Sequence, residues 1–292
     1  MTKVAIGRAK VQRFFSTFGV ALFVFAVLSF LIAPLIVVLP LSVSSSEYLS
    51  YPMPGVSLRW YRAVMDSDLW KTSFRNSFVI AVGATAIATP LGTLCAYGLT
   101  MTNFRGKALL YGIVIAPLAV PTVVFSLAIY FLFARVGLLN SFSGLILAHA
   151  ALGAPFVVII VTATLSRFDR GLVRAASSLG AGPATAFLTV TLPLILPGVI
   201  AGAIFVFLSS WDEIIVALFI AGPEQVTLPK RLYLGLRDHY DPSIVAVAAI
   251  LVFISTTFLA VFESLRWLSS RALRPTPVMN PELDIKIPVP SR

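Results

Sequence analysis

The chain has 292 residues, of which 58% are hydrophobic and only 12% charged, and its mean hydropathy is +0.95. A soluble domain carries about a quarter charged residues, so the composition excludes a soluble globular enzyme and indicates a polytopic membrane protein. The formal net charge of +10 does not mark a nucleic-acid binder, because the lysines and arginines flank apolar runs instead of forming one patch.

Residues 1–13 carry Lys3, Arg8, Lys10 and Arg13, and no charge follows from Phe14 to Ser46. A cleaved signal peptide has an apolar core of only about 7 to 15 residues. This run is longer, and a membrane crossing needs about 20 residues. An uncleaved first helix is therefore predicted over roughly 17–43, with Pro34 and Pro40 towards its far end. The polar segment 44–75 follows. Within it, the stretch 57–70 with Trp60, Tyr61 and Trp70 reads equally as an amphipathic helix at the outer interface or as a surface loop.

A second uncharged run predicts a helix over 74–100, closed by Arg105 and Lys107. The third run, 108–134, contains Pro117 and Pro121 and should be kinked or locally unwound. The fourth, 144–166, holds His149, Gly153 and Pro155. An intramembrane histidine is a functional candidate by default, but its place near the outer end favours a packing or hydrogen-bonding role.

A short, Ala-, Gly- and Pro-rich connection runs from Leu172 to Gly202. Leu172, Ala175, Ala176 and Leu179 fall at i, i+3, i+4 and i+7, which makes one small apolar helix face. Arg174, Ser177 and Ser178 fall on the other side. Gly180 stands where a left-handed helix end is expected, and Pro183 can open a second short helix. The stretch reads as helix, glycine turn, helix and return to the membrane, with a shallow apolar face suited to docking in a groove of another protein.

The fifth helix is predicted over 194–221. Trp211, Asp212 and Glu213 interrupt it, and a bare carboxylate at membrane depth costs at least about 2.5 kcal/mol on insertion scales. Two readings stand side by side. The pair lines or gates the path of a cationic substrate, or it forms a structural ion pair or sits in a wet vestibule. An outer loop, 222–241, and a sixth helix, 242–262, follow. Arg266, Arg271 and Arg274 come next, then a proline-rich tail from Pro275 to Arg292 that reads as disordered or loosely attached.

The predicted fold is all-α with six transmembrane helices. Six crossings put both termini on the side bearing the short basic clusters, which the positive-inside rule makes cytoplasmic. Cys95 is the single cysteine, and His149 and His239 stand far apart. No metal-ligand spacing and no nucleophile–histidine–acid arrangement is present, so no catalytic residue and no metal site is assigned. The chain has no G-x-x-x-x-G-K-[ST] loop to cradle nucleotide phosphates.

Arg174-Ala175-Ala176, three residues, Gly180, nine residues, then Val190-Thr191-Leu192-Pro193 resembles the EAA loop of ABC-importer permeases. The spacing agrees throughout. Arg174 stands where that family usually has Glu, and Val190 where it has Ile. The resemblance covers about 71–263, the extent of the type I importer transmembrane domain. It leaves 1–70 as an N-terminal cytoplasmic segment, first helix and outer loop, and 264–292 as a cytoplasmic tail. Leu69 to Ser77, Leu208 to Val216, Ala221-Gly222-Pro223 and Leu228-Pro229 look most like the second permease subunit of spermidine/putrescine-type importers.

That resemblance implies a bacterial inner-membrane subunit forming half of a translocation pathway for a polyamine or related amine. The alternative is an importer permease for another solute, such as an opine, another amino-acid derivative or ferric ion. The implied partners are a second permease subunit, two ATPase subunits, an extracytoplasmic solute-binding protein and the lipid bilayer. ATP and Mg would bind the ATPase and not this chain. Leu172, Arg174, Ala175, Ala176, Leu179, Gly180, Leu192 and Pro193 would form the ATPase-coupling loop. An ion-coupled secondary transporter would favour inverted repeats, which the sequence does not display. A membrane-embedded enzyme would need more clustered acids and bases than Asp212, Glu213 and His149.

Overall fold

A computed structural model describes residues 2–48, 50–238 and 242–272. His239 and the proline-rich tail lie outside the described residues. Twelve α-helices run in order among those described: α1 (Thr2–Leu41), α2 (Arg59–Asp66), α3 (Asp68–Met101), α4 (Lys107–Ala119), α5 (Thr122–Val136), α6 (Phe142–Leu165), α7 (Arg170–Ser178), α8 (Pro183–Ala186), α9 (Leu192–Trp211), α10 (Ile215–Ile220), α11 (Leu228–Asp238) and α12 (Ser243–Ala272). Only helices satisfy every backbone group within lipid without a closed barrel, and the uncharged runs fold accordingly. The one β-bridge among the described residues pairs Ser44 with Val56.

Five stretches are long and apolar enough to cross a membrane: Gly19–Leu41, Asp68–Met101, Phe142–Leu165, Pro183–Trp211 and Ser243–Val261. The third predicted run, 108–134, folds as α4 and α5, bent by 105° at the break between them, and makes a sixth span if the pair is taken as one. Pro121 supplies the reason. It has no amide to donate, and it holds the preceding Val120 extended at φ −84° and ψ 131°.

Several helix ends differ from expectation. α3 starts at Asp68, ahead of the predicted 74, with an acidic residue in its first turn where the helix dipole favours one. α2 resolves the open reading of 57–70 in favour of a helix. The segment 222–241, predicted as an outer loop, is not a plain loop, since it contains a 3₁₀ turn, Pro223–Gln225, and the amphipathic α11.

The chain divides into two compact units, and the long helices contribute residues to each. The first comprises Met1–Gly83, Pro121–His149 and Ser210–Ser255. Its polar heart is a clamp made by the start of α3. Ser73, Asn76 and Ser77 share one buried face at i, i+3 and i+4. Asn76 Nδ2 donates to the carbonyls of Glu224 at 2.8 Å and Val226 at 3.1 Å. Ser77 Oγ accepts from the Leu228 amide at 2.8 Å, and Ser73 Oγ accepts from Arg231 Nε at 2.6 Å. An irregular segment thereby finds partners for backbone groups that would otherwise be buried bare.

The second unit comprises Ala84–Val120, Ala150–Ser209 and Thr256–Arg292. Its core joins Ala84, Ala88, Ala96 and Leu99 of α3 to Val157, Val158, Val161 and Leu165 of α6 and Ile195 and Val206 of α9. Ala84, Ala88, Gly92 and Ala96 recur every four residues, a stripe of small side chains that lets membrane helices approach closely. At Gly92 an added Cβ would stand 2.7 Å from the Cβ of Val157.

Candidate functional site

Two places carry the residues singled out by sequence, one in each unit. In the second unit, α7 begins at an N-cap: the Asp169 carboxylate accepts from the Gly171 amide at 2.7 Å. Arg170 then reaches away from α7, and its Nη2 donates to the Thr100 carbonyl at 2.6 Å. The helix ends in a Schellman turn. The Ala181 amide bonds the Ala176 carbonyl, the Gly180 amide bonds the Ser177 carbonyl, and Gly180 takes φ +89°. Gly182 caps α8, and Pro183 opens it.

The apolar face of α7 is left uncovered. Leu172 and Ala175 are exposed, Ala176 is half-buried, and Leu179 is 90% exposed. Arg174 is exposed and makes no side-chain hydrogen bond or ion pair among the described residues. Leu192 packs against the core of the second unit, and Pro193 is exposed where α9 starts. A π turn, Phe187–Thr191, joins α8 to α9 and sets the Phe187 ring edge-on to Tyr97 at 4.8 Å. Sequence reasoning did not anticipate this turn, because a single wide turn leaves no mark in hydrophobic periodicity.

In the first unit, the predicted fifth helix is not continuous. α9 ends at Trp211, and α10 starts at Ile215. Asp212 and Glu213 therefore do not sit on one helix about 100° apart, as a continuous fifth helix requires. They sit in the break and have different surroundings. Glu213 folds forward, and its Oε1 accepts from the amides of Ile215 at 2.8 Å and Val216 at 3.0 Å. Asp212 is exposed, and its carboxylate makes no hydrogen bond or ion pair with any described residue. Trp211 is buried, with its ring 6.4 Å from that of Phe74.

His149 enters this site from α6. It is buried, and its Nδ1 lies 2.8 Å from Ser210 Oγ, in the last turn of α9. This bond agrees with the packing or hydrogen-bonding role favoured from sequence. α10 packs along α5. At its far end the Asn140 amide donates to the Ile220 carbonyl at 3.0 Å, and Lys230 Nζ donates to the Ala221 carbonyl at 2.7 Å. A cation at a helix C-terminus is favourable, although burial lowers the pKa of Lys230 from its usual value.

The model of the family described as binding-protein-dependent transport system inner membrane component matches residues 88–274. The chain belongs to this family. The permease is 31% identical over 233 residues to the spermidine/putrescine transport system permease protein PotC of Escherichia coli (strain K12), covering 80% of this chain and 88% of that protein. It is 31% identical over 235 residues to the putrescine transport system permease protein PotI of the same organism, covering 77% and 82%. Its fold is similar to a solved chain of a bacterial ABC transporter involved in the import of the acidic polysaccharide alginate. That match has a TM-score of 0.67 at 18% identity and covers 87% of this chain and 96% of that one. The protein is thus a multi-pass inner-membrane permease with the type I importer fold, a transport subunit and not an enzyme.

Proposed function

We propose that this permease forms half of the path by which a small organic amine enters the cell, driven by ATP hydrolysed on partner chains. The observation that carries the amine reading is the Asp212 carboxylate, unengaged and exposed in a break of an otherwise apolar crossing. An anion there is costly unless water or a cation meets it. The names of PotC and PotI, which associate them with spermidine and putrescine, support the same class.

In this reading a second permease subunit completes the pathway. Two ATPase subunits hold ATP and Mg, and an extracytoplasmic binding protein delivers the solute to the outer segments, 44–75 and 222–241. Leu172, Ala175, Ala176 and Leu179 dock in a groove of the ATPase, and the Gly180 turn with Leu192 and Pro193 carries its closure into α9. The termini and α7 lie in the cytoplasm, as the positive-inside pattern favours.

The test is ATP hydrolysis by the co-purified complex, with and without its binding protein and with putrescine or spermidine. Amine-dependent stimulation is expected. An ATPase that co-purifies but responds to no amine removes the amine reading and keeps the importer. Failure of any ATPase to co-purify removes the docking role of α7.

A further inference from the structure

We infer that Glu213 is a positioning residue, whose side-chain oxygen sets the break in the fifth crossing and leaves Asp212 as the only carboxylate of the pair offered to a cationic solute. The inference rests on the amine pathway proposed above and divides a labour that the two adjacent acids share by sequence alone. A helix start leaves its first amides without partners. At α10 two of those amides, from Ile215 and Val216, are met by the same Glu213 oxygen at 2.8 and 3.0 Å. Those two bonds hold the Glu213 side chain against the start of α10. Asp212, one methylene shorter, has no described partner and is exposed.

The surroundings hold the break from both sides. On the α9 side, Ser210 is bonded to His149 and Trp211 lies against Phe74. On the far side of α10, the Ile220 and Ala221 carbonyls are bonded to the Asn140 amide and Lys230 Nζ. With both flanks fastened, the local conformation at 212–214 depends on the acceptor that Glu213 provides. An amide oxygen is also an acceptor, so the cap needs an oxygen and not a charge. A carboxylate that meets a cation needs the charge.

The experiment compares Glu213→Gln, Glu213→Ala and Asp212→Asn in the full transporter, reconstituted in proteoliposomes with its binding protein. Binding-protein-stimulated ATP hydrolysis and putrescine uptake are both measured. Glu213→Gln is expected to stay within about threefold of wild type in both readouts, whereas Glu213→Ala loses about tenfold or more in stimulated hydrolysis, the scale of leaving a backbone donor unsatisfied. Asp212→Asn is expected to raise the KM for putrescine about tenfold or more, with maximal hydrolysis little changed.

If Glu213→Gln falls as far as Glu213→Ala, the charge of Glu213 is required and the inference is wrong. Asp212→Asn with an unchanged KM in a transporter that takes up putrescine overturns the division as well. The Glu213 comparison read by hydrolysis does not depend on the solute. A wild-type transporter that ignores amines therefore refutes the amine reading and leaves the Gln-against-Ala contrast to decide the cap. Retention of Glu213→Ala in the complex, checked by co-purification, separates loss of the cap from loss of the protein.

Discussion

Arg170 Nη2 lies 2.6 Å from the Thr100 carbonyl, tying the first residue of α7 to the last turn of α3. A helix end presents carbonyls without partners and a partial negative charge, and a guanidinium answers both. The small loop helix is therefore fastened directly to a membrane helix. Replacing Arg170 with Ala should cost about 1 kcal/mol in stability but lower the amount of solute moved per ATP hydrolysed in proteoliposomes. Lysine, with a single ammonium in place of the planar fork, should be intermediate.

Gly180 has φ +89° and closes the Schellman turn. Alanine there should cost about 1 to 2 kcal/mol, visible as reduced transport. Proline cannot adopt a positive φ. Gly180→Pro should abolish uptake while the chain still inserts in the membrane. Normal uptake by that variant would refute a coupling role for the turn.

Leu179 is 90% exposed, and the Arg174 side chain makes no hydrogen bond or ion pair among the described residues. Substitutions at such surface positions usually shift stability by no more than about 0.5 kcal/mol. Leu179→Asp and Arg174→Ala should therefore leave the melting temperature of the isolated permease unchanged and reduce the ATPase retained on it during affinity purification. A lowered melting temperature would mean that this face is covered within the chain itself.

Asn76 holds two backbone carbonyls with one amide group. Asn76→Ala leaves both carbonyls without that donor and should destabilise the permease by about 1 to 3 kcal/mol. Asn76→Asp should be worse, because a carboxylate there turns lone pairs towards carbonyl oxygens. Thermal unfolding in detergent ranks the two.

Gly92 lies against Val157, with a virtual Cβ contact of 2.7 Å to a branched side chain and 3.2 Å to the Ala154 carbonyl. Neither neighbour has a flexible end that can swing away. Gly92→Val should cost at least about 1 to 3 kcal/mol, the usual range for overpacking, and the pair Gly92→Ala with Val157→Ala should recover part of the loss relative to Gly92→Ala alone.

Much of the architecture was readable along the chain, because lipid makes hydrophobic length a direct measure of a crossing. The uncharged runs located the spans, Pro121 located the break in the third, and Gly180 with Pro183 located the turn between α7 and α8. These are local signals, each carried by a residue whose own backbone limits decide the outcome. The stripe Ala84, Ala88, Gly92 and Ala96 takes its meaning only from the partner helix packed on it. The clamp of Ser73, Asn76 and Ser77 joins residues about 150 positions apart in sequence, and no periodicity announces it.

Composition and run length by themselves determined that this protein is a helical membrane protein, because burial of backbone polar groups in lipid admits few alternatives. Tertiary structure alone decided where each member of the acidic pair sits. Asp212 and Glu213 are adjacent, chemically alike and indistinguishable in sequence. The chain has to end α9 at Trp211, held by His149 and Phe74, before one carboxylate is drawn to the amides of α10 and the other is left free. Which acid is occupied depends on where a helix stops, and that is settled by contacts from distant parts of the chain.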